Sequence, residues 1–199
     1  GTFNTNRLDY VEKILDNKTL QANIKGIGTQ WECRNNLPEM RKCYPNHRFM
    51  VSESECGNGS MDWKAGEHTF FLLSDNLGNG CDEYYNWNFI LKDNGISPWG
   101  WTQNALIQVD SKTRKKRYTA EYYAYKHFSH FVQKGTEMLA YAGREYSKTP
   151  VAVFKDKKGQ YIVTVGNFTD AEASLTVKVG KKYLNVQAKP HSFNTYIWK

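Results

Sequence analysis

No stretch of the 199 residues approaches the roughly 18 consecutive apolar residues that a membrane span needs. The opening "GTFNTNRLDY" also lacks the apolar centre of a secretory signal, and without an initiator methionine the chain is expected to be a processed or excised one. CxxC and Cys/His spacings are missing. Cys33, Cys43, Cys56 and Cys81 therefore give no metal-ligand pattern, and no metal or other cofactor is expected. One or two disulfides and four free thiols are equally compatible with the sequence. The absence of any repeat with a period of about 20 to 50 residues excludes solenoids and propellers.

What is present is a composition that buries a core: 40% of residues are hydrophobic and 15% aromatic. The net charge of +7 would suit nucleic acid, but the basic residues are scattered. Their one cluster, "KTRKKRY" at 112–118, reads as a solvated turn, too short for a phosphate track, so no nucleic-acid partner is expected.

From Leu8 to Leu20 the apolar positions Leu8, Val11, Ile14 and Leu15 recur at helical spacing, with Asp16-Asn17 read as a stop. "IKGIGTQW" (24–31), "RFMVSES" (48–54) and "EYYNWNFIL" (83–91) predict strands. Helices are expected in "NNLPEMRKCYPN", over 62–78 and over 120–133, the last rich in aromatics. Strands buried on both faces and alternating with helices indicate a parallel βα arrangement. After Gly135 the texture changes to short alternating segments, "MLAYAG", "VAVFK", "QYIVTVGNF", "ASLTVKV", "YLNVQA" and "FNTYIW", with turns at "DKKG" and "GKK". These predict an antiparallel β-sandwich over 136–199, following an α/β domain over 1–135.

In parallel β/α barrels the reactive side chains stand at the carboxyl ends of strands. Three such ends, "GTQWE" (28–32), "VSESE" (51–55) and "YNWNF" (85–89), place acids among indoles. That pairing suits carbohydrate, since indole faces cover the apolar faces of sugars and carboxylates act on hydroxyls and the glycosidic bond. Each Trp taken singly is more readily a core aromatic. Glu53 and Glu55 share a face if the strand continues, so parity alone does not separate them. Gly57 and Gly59 would allow close backbone approach to a ligand or simply make a turn.

"VSESECGNGSMDW", "NWNFILKDNG", "WGWTQNALIQVD" and "YTAEYYAYKHFSHFVQKGTEMLA", in this order, resemble the carboxyl-terminal half of glycoside hydrolase family 30, which contains glucosylceramidases, xylanases and endo-β-1,6-glucanases. The resemblance implies the last part of a (β/α)8 barrel, about strands five or six to eight, followed by a side β-sandwich. It implies that Glu53 is the nucleophile of a retaining β-glycosidase, with Trp87 and Trp31 lining the sugar subsite. Gln30 and Glu32 beside Trp31, Glu55, and the loop residues Trp99, Trp101 and Asn104 are the further candidate substrate contacts. Where glucosylceramidases carry tyrosine, this chain has Glu32. Two carboxylates in contact would weaken a nucleophile, so Glu32 is expected to face a sugar hydroxyl or an arginine and not Glu53.

An Asn-Glu-Pro tripeptide, which carries the family's acid/base, occurs nowhere in the chain. A barrel of about 250 residues does not fit into 135. The chain is therefore expected to be a fragment of a secreted or periplasmic β-glucosidase or β-glucanase, inactive by itself. Its partners would be the missing amino-terminal half of the barrel or a second copy at the open barrel edge. A non-catalytic carbohydrate-binding protein of the same fold is the rival reading.

Overall fold

The computed structural model describes residues 2–143 and 147–199. The first sheet is parallel. Strands β1 (Thr2–Phe3), β2 (Gly26–Gln30), β3 (Arg48–Glu53) and β4 (Glu83–Tyr84) lie side by side in chain order. Between them run α1 (Leu8–Leu15), α2 (Lys18–Asn23), α3 (Leu37–Cys43) and α4 (Trp63–Gly78). Val11, Leu15, Ile27, Leu37, Met40, Phe49 and Val51 form the fully buried core where the helices cover β2 and β3.

Over 8–20 there are two helices, divided at the stop expected at Asp16-Asn17. The Asn17 side chain accepts from the Thr19 and Leu20 amides and starts α2 anew after α1 has closed on Asp16, so the second helix rests on a cap and not on the apolar period. The strand predicted over 83–91 is also split. Its first two residues pair with β3, whereas β5 (Ile90–Lys92) joins a separate sheet with β6 (Ile107–Val109) and β7 (Lys116–Tyr118). Asn86 and Asn88 break the run: the Asn86 amide donates to the Asn88 carbonyl, and that of Asn88 donates to Asn104 O. "KTRKKRY" is half turn and half strand, because Lys116–Tyr118 pairs antiparallel with β6.

α5 (Ala120–Ser129) starts from the Thr119 cap and lies against α4. Gly66 of α4 faces Ala120 so closely that a Cβ there would sit 2.6 Å from the Ala120 Cβ. Beyond it come β8 (Glu137–Met138), β9 (Val151–Lys155), β10 (Tyr161–Asn167), β11 (Ala173–Val179), β12 (Lys182–Ala188) and β13 (Ser192–Trp198). They form an antiparallel sheet, β13-β10-β9-β8, and the hairpin β11-β12. Of "MLAYAG", only Met138 belongs to a strand.

Side-chain alternation explains why β9 and β10 read as continuously apolar. Ala152, Phe154 and Ile162 pack with Phe70 and Leu73 of α4 and Ala124 and Phe128 of α5, while Val153, Val163 and Val165 pack with Val186 and Ala188 of the hairpin. The sheet is thus covered by helices on one face and by the hairpin on the other. Among the described residues, no helix is long and apolar enough to cross a membrane.

Candidate active site

The carboxyl ends of β2, β3 and β4 carry the site. β2 and β3 are in register up to Thr29 opposite Val51, and then a bulge sets Gln30 opposite Glu53. Such an irregularity re-aims the side chains that follow it. Gln30 Nε2 donates to Glu53 Oε2 at 2.9 Å, so the half-buried carboxylate is held from one side while the strand ends. The chain leaves β2 through Trp31 in the left-handed region (φ 46°), an unusual conformation for a bulky residue, and enters a 3-10 helix over Trp31–Asn36.

Ser54, next in sequence to Glu53, fixes the adjoining strand end. Its hydroxyl donates to Asn86 Oδ1 at 3.0 Å and accepts from the Trp87 amide at 3.0 Å. Trp31 and Trp87 are both exposed and not core aromatics. Trp99 and Trp101 stack at 5.3 Å with planes 15° apart, and Trp99, 70% exposed, stands clear of the body. The buried Gln103 ties two of these indoles together. With its amide oxygen turned toward them, it accepts from Trp101 Nε1 at 2.9 Å and Trp87 Nε1 at 3.2 Å. That orientation gives up a 3.4 Å contact from Asn88, whose amide keeps Asn104 O, so two indole donors outweigh one long bond.

Glu55 does not share the surroundings of Glu53. The strand stops at Glu53, and Glu55 gives one oxygen to Arg34 and the other to His68 Nε2, 2.7 Å away on α4. These partners, His68 foremost, lower its carboxyl from the ordinary value to about 2 despite burial. Its two oxygens are therefore engaged within the protein, where a substrate contact was expected. Glu32 is exposed, and the arginine on its own turn, Arg34, pairs with Glu55.

Asn104, expected to meet substrate, is only 6% exposed and braces two loops together. Its amide N–H donates to Cys56 O at 2.7 Å and its Oδ1 accepts from the Gly59 amide at 2.7 Å. Gly57 (φ 67°) is pressed against it, and a Cβ there would fall 2.4 Å from Asn104 Cγ. The close approach that glycine permits at 57 is to the protein's own side chain. All four cysteines are free, and burial raises the thiols of Cys33 to about 11 and Cys81 to about 12. Among the described residues, no cluster of three or more His, Cys, Asp or Glu side chains could hold a metal ion.

Sequence reasoning missed Arg34, His68, Gln103 and Glu121. Arg34, His68 and Glu121 are remote in sequence from the side chains they bond, Gln103 is beside Trp101 but also holds the distant Trp87, and isolated charged or amide residues carry no periodic signal.

The Glu55 cage has a consequence in acid. A carboxyl whose folded-state pKa is depressed contributes stability above its unfolded value, and that contribution is lost as pH falls through the folded one. The window here is from about 4.5 down to about 2. The unfolding free energy from urea titration is expected to drop on going from pH 6 to pH 2.5 by about 1–2 kcal/mol more in the parent than in Glu55→Gln, the discount reflecting partial exposure. Equal drops in the two proteins would remove the cage as a source of acid sensitivity.

No family model matches the chain. Lysosomal acid glucosylceramidase of Mus musculus is 22% identical over 206 residues, which cover 96% of this chain and 40% of that protein. SrfJ from Salmonella typhimurium superimposes with a TM-score of 0.85 at 20% identity, over 98% of this chain and 45% of that one. The endo-β1,6-glucanase BT3312 gives a TM-score of 0.82 at 19% identity, over 96% and 44% of the two chains. A GH30 endoxylanase from Clostridium papyrosolvens gives 0.71 at 12% identity, over 96% and 53%. The chain is a relative of glycoside hydrolase family 30, with the fold of that family's carboxyl-terminal part. It spans less than half the length of the mouse glucosylceramidase. In family 30 terms, the four parallel strands are the last part of the (β/α)8 barrel, and the antiparallel sheet and hairpin after them are the β-sandwich.

Proposed function

We propose that the chain supplies the nucleophile and part of the sugar-binding wall of a retaining β-glycosidase acting on β-linked glucose, with an endo-β-1,6-glucanase or glucosylceramidase-like substrate. The observation that carries this reading is Glu53 at the end of β3, oriented by Gln30 and beside a strand end that presents Trp87. In this chemistry an ionised carboxylate attacks the anomeric carbon and a glycosyl-enzyme forms. A second carboxylic acid protonates the departing oxygen and later, as base, activates water. Glu53 takes the first role. Trp31 and Trp87 would flank the cleaved sugar, and the stacked Trp99 and Trp101 would offer an outer platform for the next one. Residues 1–135 are assigned to the barrel and 136–199 to the sandwich.

The acid/base would come from polypeptide outside these 199 residues, because no Asn-Glu-Pro occurs in them. Purified chain is accordingly expected to give no measurable turnover of an aryl β-glucoside. Turnover by this chain that disappears in Glu53→Gln would overturn that expectation. With the rest of the barrel present, β-1,6-glucan, glucosylceramide and xylan offered in parallel identify the substrate. Hydrolysis of none of them, with retained binding of β-glucan, would favour a carbohydrate-binding protein built on the exposed indoles.

A further inference from the structure

A cavity of 370 Å³ opens beside the Glu53 site, sharing Ser54 and Asn86 with its wall, between the end of β3 and the first turns of α4 and α5. Glu53, Trp31 and Trp87 do not line it. Its volume falls within the range of about 300 to 1,000 Å³ usual for small-molecule sites. Leu72 and Tyr84 provide an apolar part, and Asn58, Ser60 and Asn86 are among its uncharged polar lining.

Glu121 also lines it, only 5% exposed. One of its carboxyl oxygens accepts from the Thr69 hydroxyl at 3.1 Å, while the other, Oε2, is buried with no hydrogen-bond partner among the described residues. A buried carboxyl oxygen left in this state costs stability unless something meets it, so it points to a ligand with a matching polar group. Burial raises this carboxyl to about 7 against the opposing pull of the Thr69 and Asn104 side chains, which lets it carry a proton and act as donor as well as acceptor.

Charges of both signs line the cavity, and Glu55 among them is ion-paired. Its partners are Arg34 and His68, Asp62 caps α4 by accepting from the Ala65 amide at 2.9 Å, and Lys64 lines the same wall. What remains unmet is a hydrogen bond in a field of mixed sign, next to a small apolar patch. An ionic ligand would meet charge of its own sign. A hydroxylated one would not.

We propose that this cavity is a binding site for a small neutral polyol of the size of a single sugar ring, gripped by the Glu121 carboxyl beside the Glu53 site. The assignment does not depend on Glu53 being a nucleophile.

The test is a titration of the ¹⁵N-labelled protein with glucose, followed at the amides of Ser60 and Thr69, with Gln30 and Trp87 reporting the Glu53 site. Saturable shifts at Ser60 and Thr69, with a dissociation constant on the order of millimolar, are expected. Glu121→Ala should weaken them by about tenfold, the loss of roughly one polar contact. Ala65→Phe, which narrows the cavity and leaves the carboxyl in place, should abolish them and guards against misfolding as the cause. Absence of shifts at Ser60 and Thr69 in the parent, or their persistence in both variants, would overturn the proposal. So would saturable shifts at the same amides with methylammonium but not glucose. Shifts confined to Gln30 and Trp87 would leave the nucleophile site standing and remove this one.

Discussion

Glu53→Gln, made in a polypeptide that carries the complete barrel, is expected to lower turnover of an aryl β-glucoside by about 10³-fold or more. The amide keeps the size and planarity of the carboxylate, and its oxygen can still accept from Gln30, which holds Glu53 at 2.9 Å. What disappears is the nucleophile itself, so the loss belongs in kcat while substrate affinity stays near its parent value. Mass spectrometry of the parent quenched with a slow fluorinated glucoside should place a glycosyl adduct on the peptide containing Glu53, and the variant should show none. A variant retaining a tenth of the activity would assign the nucleophile to another residue, with Glu55 first to be examined. The cage of Arg34 and His68 argues against Glu55, because a nucleophile with both oxygens bonded must break one contact before it attacks.

Phe70→Ala is expected to cost about 3–5 kcal/mol, the usual range for emptying a fully buried aromatic site. Phe70 is completely buried, stacks on Phe193 at 5.0 Å and meets Phe128 edge-on at 5.1 Å. It also touches the barrel-to-sandwich contact directly, since a Cβ on Gly166 of β10 would lie 3.0 Å from its ring. In a domain of this size the loss corresponds to a fall in Tm of about 10 °C. Phe70→Leu, which keeps most of the volume, should cost roughly 1.5 kcal/mol or less. Denaturant midpoints of the two variants isolate the cavity effect, since Ala and Leu are both better helix formers than Phe. Similar midpoints for both would mean that the surrounding rings collapse into the space and that the contact is softer than its geometry indicates.

The sandwich strands were legible because their period of two is local, and turn residues at "DKKG" and "GKK" mark where each ends. β3 and α4 were legible for the same kind of reason: an apolar run in one case and a capping aspartate ahead of it in the other. The strand over 83–91 failed because its apolar residues serve two sheets, and the asparagines that divide it act through bonds to residues as remote as 104. Over 8–20 the stop at Asp16-Asn17 was legible, whereas the second helix after it rests on the Asn17 cap and not on the apolar period.

At the site, Glu53 could be picked out from its position at a strand end together with the motif around it. Its partner Gln30 was near at hand in the sequence reading, but the bond between them depends on a bulge, which no residue pattern announced. Glu55 was harder. Parity placed it with Glu53, whereas the strand ends at Glu53, two residues too early for parity to apply. Glu121 sat unnoticed within an aromatic helix, and only the packing of α5 on α4 puts its carboxyl beside Thr69.

β10 has its first residue half-buried and the other six buried, because it is covered on both faces, whereas β11 alternates between half-buried and exposed along its whole length. The two strands are equally long but unequal in what they tolerate. Nearly every substitution in β10 must fit one core or the other, while every second position of β11 answers only to solvent. A fold shared at about 20% identity with SrfJ can thus be held by a few strands of this kind, with the permitted drift gathered in the hairpin that shields them.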